Sequence, residues 1–228
     1  MNIAIAAPVT EQDHIAEFKS RRMTISTSPS ILTDIYQEDV NLAVWQSTLP
    51  DNINQCIESL VHNKPNFKAI MTVSPQSVNE HLKASCEGIS ESNELCDHIT
   101  LLVDMFCTLF DLKYAGLRLK LLDKPMCPRF HVDKVPCRLV TTFSGTATEW
   151  LPHSAVNRSK LGAGSQGKPD ESSGIIEHPE MIEHLQAGDV ALLKGESWHN
   201  NEGAGLVHRS PALSQAEHRL LLTLDFMS

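Results

Sequence analysis

The sequence predicts an α+β fold: a helical N-terminal half packed on a C-terminal antiparallel barrel of the jelly-roll kind. Three observations carry that prediction. Apolar residues recur at helical spacing up to about residue 110, most clearly in "NELCDHITLLVDMFCTLF". The period then changes to alternation in "YAGLRLKLL", which begins at Tyr114. Beyond it, several short apolar runs are bounded by turn signals, the pattern of an antiparallel sandwich or barrel.

In chain order, residues 1–27 are polar and mixed, run into "STSPS", and read as a flexible N-terminal arm. Residues 28–112 read as a mainly helical buttress. In "PDNINQCIESLV", Ile53, Ile57, Leu60 and Val61 share a helical face behind a Pro50-Asp51 start. "FKAIMTV" reads as a strand ended by Ser74-Pro75. In the long helix, Leu95, Ile99, Leu102, Val103, Phe106, Leu109 and Phe110 make a broad apolar face, and Glu94 and Asp97 suit its positive N-terminal end. Residues 113–228 hold the barrel. Leu117, Leu119 and Leu121 fall on one side of its first strand, Arg118 and Lys120 on the other. Further strands are expected at "FHVDKV", "RLVTTF", "EWL", "DVALLKG", "GLVH" and "HRLLLTLDF". Residues 152–187 contain "RSKLGAGSQGKPDESSG", too rich in Gly, Ser and charge for a core. They read as a long mobile insert with a short helix at "PEMIEHL". The arm, buttress and barrel read as one structural unit.

The 228 residues suffice for one large core, and the formal charge of -9 argues against phosphate-backbone and anionic-membrane partners. No Lys/Arg run exceeds Arg21-Arg22. The start lacks a positively charged n-region, and no apolar run approaches the ~18 residues that span a bilayer, so the expected location is cytoplasmic. The six cysteines form no C-x-x-C pair and read as thiols, mostly buried.

"PRFHVDKVPCRL" raises the functional question. On a strand, His131 and Asp133 would point the same way from Cα atoms roughly 7 Å apart and could grip one metal ion. The similar His178-Pro179-Glu180 has a proline at its centre, lies in the polar insert and reads as surface. Downstream, Leu206, His208 and Ser210 share a face of "GLVHRSP". Arg219 follows eleven residues after His208, which puts the two on neighbouring strands joined by "SPALSQAE". Two imidazoles and one carboxylate on one face of a metal leave three adjacent positions open, which suits non-haem Fe(II) oxygenases. 2-Oxoglutarate fills two of them, and its far carboxylate needs a fixed cation, for which the planar fork of an arginine serves best.

This order resembles the Fe(II)/2-oxoglutarate-dependent dioxygenases, whose double-stranded β-helix carries H-x-D, a distal His and a trailing Arg. The wording "FHVDKVPCRLVTTFSGTATEWL", "GDVALLKGE", "HRSP" and "RLLLTLDF" also resembles, over most of residues 30–227, a bacterial domain family of unknown function whose genes tend to lie near those for zinc homeostasis. The resemblance implies that His131, Asp133 and His208 are the metal ligands at a catalytic site and that Arg219 anchors 2-oxoglutarate. Many such dioxygenases have Ser or Thr two residues after the Arg. Here that position is Leu221.

Plainer readings stand beside these. His131 and Asp133 could form a metal-free hydrogen bond. His208 could be a core histidine, with His199 as the ligand in its place, and Arg219 could pair with Glu217 or Asp225. Cys127 and Cys137 flank the segment as zinc ligands or as buried thiols. Trp150 and Trp198 could line a pocket or merely pack. Arg118, Lys120 and Arg138 could face the barrel mouth or water. Two further functions follow: a zinc-binding accessory protein without turnover, and a cupin-like barrel that has lost its metal and serves as an interaction module.

Overall fold

The computed structural model describes residues 20–49 and 52–227. Among the described residues, ten strands form two sheets. The large sheet contains β1 (Arg22–Ser26), β2 (Val40–Gln46), β3 (Lys68–Val73), β4 (Ala115–Leu122), β5 (Cys137–Ser144), β8 (Asp189–Lys194) and β10 (Arg219–Phe226), in the order β1-β2-β8-β5-β10-β4-β3. The small sheet is β7-β6-β9, made of β6 (Glu149–Leu151), β7 (Glu183–His184) and β9 (Val207–Arg209). Only the β1/β2 pair is parallel among these pairings. Helices α1 (Ile53–Asn63), α2 (Val78–Ser85) and α3 (Ser92–Leu109) contribute to the cover on one face of the large sheet.

Alternation along the strands sorts residues into layers. On β10, Leu220, Leu222 and Leu224 join the core under the helices, with Ile99, Leu102 and Phe106 of α3. Leu221 joins the second core, between the sheets, with Val140, Leu193, Trp150 and Leu206. Both faces of β10 are therefore buried, which explains an apolar run that hardly alternates. A third cluster, Phe130, Leu151, Val156, Ile175 and Val207, lies on the outer side of the small sheet, where the insert covers it. Among the described residues, no helix is long and apolar enough to cross a membrane.

Several expectations need correction. Residues 1–19 of the expected arm, like the Pro50-Asp51 start of α1, lie outside the described residues, while Arg22–Ser26 is a strand of the large sheet. The span 28–112 is not simply helical, because β2 and β3 belong to that same sheet. The segment "FHVDKV" is not a strand: only His131 bridges to another strand, through paired backbone bonds with His208 of 3.1 and 3.0 Å. "PEMIEHL" gives a 3-10 turn at Pro179–Met181 and then β7. The insert is folded onto the protein rather than loose, with Val156, Ser165, Asp170 and Ile175 buried.

Candidate metal centre

His131 and Asp133 leave the bridge to β9 in an irregular turn-rich stretch, and His208 comes from β9 itself. The backbone of this stretch is held by the turn after β8, where the Glu196 N–H donates to the Asp133 carbonyl at 2.9 Å. Close approach there requires Gly195, since a Cβ on it would stand 2.0 Å from the Val135 oxygen and 2.8 Å from that of Asp133. Gly195→Ala is therefore expected to destabilise the protein by about 1–3 kcal/mol. Chemical denaturation measures this, and an unchanged midpoint would mean that the segment shifts freely.

Among the described residues, one cluster of His, Cys, Asp or Glu could hold a metal ion: His131, Asp133 and His208, whose ligand atoms all lie within 4.8 Å of one another. His131 Nε2 stands 3.8 Å from Asp133 Oδ1, and His208 Nε2 3.4 Å from Asp133 Oδ2. The first separation is too long for a hydrogen bond, which removes the plain His131–Asp133 pair. Each Nδ1 faces a carbonyl, that of Arg129 at 2.9 Å for His131 and that of Leu206 at 3.2 Å for His208. A carbonyl only accepts, so in the neutral rings the proton sits on Nδ1 and the Nε2 lone pairs turn toward the carboxylate. Three electron-rich atoms thus converge, and a cation between them satisfies all three.

The electrostatics agree with a ligand set. Burial, followed by the nearby His208, lowers the His131 pKa. Burial by itself would raise the Asp133 pKa, but contact with His208 and the charge of Arg138 outweigh it and hold the carboxyl at about 2. Arg138 NH1 donates to Asp133 Oδ2 at 2.7 Å.

Arg219 stands at the start of β10, 1% exposed. It and His208 are not on neighbouring strands; they face each other from the two sheets, and Ser210, two residues after His208, closes the gap. Its guanidinium donates to hydroxyls, those of Thr142 at 3.1 and 3.3 Å, Thr148 at 2.8 Å and Ser210 at 3.4 Å. The alternative carboxylate partners are engaged elsewhere: Glu217 accepts from Thr146 and the Ser214 N–H, and Asp225 from Arg118 and Arg138. Burial pushes the Arg219 pKa down to about 10, still well above neutrality. One cavity of about 40 Å³ is lined by His131, His208, Ser210, Thr148 and Arg219 together.

The remaining candidates separate from the site. His199 is exposed in a different pocket, with Tyr36 and Trp198. Cys137 points to the opposite face of β5, fully buried under the helices, where burial raises its thiol pKa. Cys127 lines the cavity but is outside the cluster of His131, Asp133 and His208. Trp150 packs between the sheets and Trp198 against Tyr36 and Phe110. His178 and Glu180 pair at the surface. The insert carries a group that sequence reasoning missed: Asp170 accepts the Phe130 N–H at 2.8 Å and Arg209 NH1 at 3.1 Å. Those partners immediately precede His131 and follow His208, and the Arg209 guanidinium lies 4.3 Å over the Phe130 ring.

A family model described as "Protein of unknown function (DUF1826)" matches residues 26–225. No curated protein matches the chain in sequence. Similar solved structures include a dioxygenase for auxin oxidation from rice, at 9% identity over 86% of this chain and 76% of that one, with a TM-score of 0.48. Others are HygX from Streptomyces hygroscopicus with iron bound (10% identity, 86% and 85%, TM-score 0.46) and a Pseudomonas putida prolyl-4-hydroxylase (12%, 86% and 96%, 0.41).

Proposed function

The chain belongs to the DUF1826 family, and from the geometry of its site we propose that it is a non-haem iron(II) oxygenase that uses 2-oxoglutarate on a double-stranded β-helix. One observation carries the reading. The cavity that receives the His131 and His208 side chains also receives a buried arginine that, among the described residues, donates to hydroxyls and to no carboxylate. A lone guanidinium taken out of water is costly unless an anion comes to meet it.

In this reading His131, Asp133 and His208 hold iron, and Arg219 binds the far carboxylate of 2-oxoglutarate through its planar fork. Iron with 2-oxoglutarate would supply the oxidising power: one atom of dioxygen would leave in succinate, with loss of carbon dioxide, and the other would enter the substrate. The chain's own work is to bind and orient. The carbonyls of Arg129 and Leu206 fix the imidazole tautomers. Thr142, Thr148 and Ser210 hold the guanidinium fork in place before any anion arrives. Leu193, Val140 and Leu221 keep the intervening wall apolar, which strengthens each polar contact beside it.

Anaerobic titration is expected to give about one Fe(II) per chain, with affinity that responds to 2-oxoglutarate; once air is admitted, slow succinate formation is expected with ascorbate added as the reductant that takes the second oxygen atom to water. Metal binding indifferent to 2-oxoglutarate, together with tight zinc and no oxygen uptake, would transfer the site to a metal-binding protein without turnover.

A further inference from the structure

Arg138 is a charged group beside the site that the metal and anion roles leave unused. On β5 it stands directly opposite Asp225 of β10, so the two side chains lie abreast on the face toward the small sheet. Arg138 Nε and NH2 donate to the two Asp225 oxygens at 2.7 and 3.2 Å, and NH1 remains for Asp133 at 2.7 Å. Asp225 in turn accepts from Arg118 of β4. Asp133 therefore ends a row of alternating charges whose other members sit on three adjacent strands of the large sheet. Its own backbone, outside any strand, is held at the carbonyl by the Glu196 N–H, which leaves the direction of the carboxylate to side-chain contacts.

We infer that Arg138, held by Asp225, is a positioning residue that aims the Asp133 carboxylate at the two histidine nitrogens and so sets the affinity of the site for metal. This rests on the metal assignment above. Two effects oppose each other. A guanidinium beside a divalent cation repels it and draws charge from the carboxylate, so by Coulomb's law alone removing Arg138 would tighten binding. A carboxylate already aimed loses no orientational freedom when the ion arrives, so by geometry removing Arg138 loosens binding. Asp225 decides between them: it already offsets the Arg138 charge, while the fixed direction of NH1 is retained. Outer partners of ligating residues commonly alter metal affinity about 10- to 100-fold.

The test is Co(II) affinity of the full chain, read from visible absorption, for the wild type, Arg138→Gln, Arg138→Lys and Asp225→Asn, with melting curves of each metal-free protein. Arg138→Gln is expected to bind about 10- to 100-fold more weakly. Asp225→Asn, which alters no metal ligand, should shift affinity the same way by a smaller factor. Arg138→Lys keeps the charge but cannot span two carboxylates, so it should remain weak and change the cobalt spectrum. Wild-type affinity or better in Arg138→Gln, or in Asp225→Asn should the first not fold, overturns the inference and leaves the metal assignment standing. A wild type that binds no Co(II), Fe(II) or Zn(II) removes the metal assignment and this inference with it.

Discussion

Arg219→Met is expected to abolish measurable 2-oxoglutarate binding while making the metal-free protein more resistant to heat. The two effects share one cause. In the free protein the guanidinium is buried with hydroxyl partners, and the folded state disfavours its charge enough to bring the pKa down to about 10. A methionine, shorter by the outer part of the guanidinium, fills most of the space without that penalty, although it leaves Thr142, Thr148 and Ser210 short of a donor. The net gain should be about 1 kcal/mol. Against the co-substrate the sign reverses, because a carboxylate entering that cavity would lose its cation. Removing one member of a buried charge pair costs about 2–5 kcal/mol, or roughly 30- to 5000-fold in affinity. Calorimetric titration and thermal melting measure the two effects separately. Normal 2-oxoglutarate binding would strip Arg219 of its role, and a fall in both quantities would make it a structural residue.

His208→Ala should leave the chain folded and its metal lost, with affinity down by more than the factor of about 100 at the top of the range for outer partners. With one imidazole gone, His131 and Asp133 remain, only two protein ligands. His199→Ala, altering an exposed ring in another pocket, should bind as the wild type does. Elemental analysis of protein from metal-replete cells distinguishes the two variants. Equal metal content in both would mean that the ion sits elsewhere.

Much of this site is legible in the sequence because its members are chemically unusual where they stand. An imidazole and a carboxylate among valines, a second imidazole in "GLVHRSP" and an arginine opening "RLLLTLDF" each interrupt an apolar pattern. The strands β4, β5, β8 and β10 show themselves in the same way, by alternation or by β-branched and leucine-rich runs. Other parts left no local mark. β2, "VNLAVWQ", lies after residues whose spacing suits a helix, and its partner β1 is recognisable only once the sheet is assembled. "FHVDKV" alternates as a strand would, but Pro128 and Pro136 bracket it and the ladder stops after one bridge. Arg138 and Asp225 are ordinary charges in their own strands. Their meeting depends on the β5/β10 register, a relation between positions 87 residues apart. The hydroxyls around Arg219 are dispersed in the same way.

The brace formed by Asp170 has a consequence for anyone who would exchange the insert between relatives. Its carboxylate grips the neighbours of both histidines, so the segment is the back wall of the centre as well as a covering. Grafting a foreign 152–187 stretch would disturb the imidazoles unless an acid is kept at that one place.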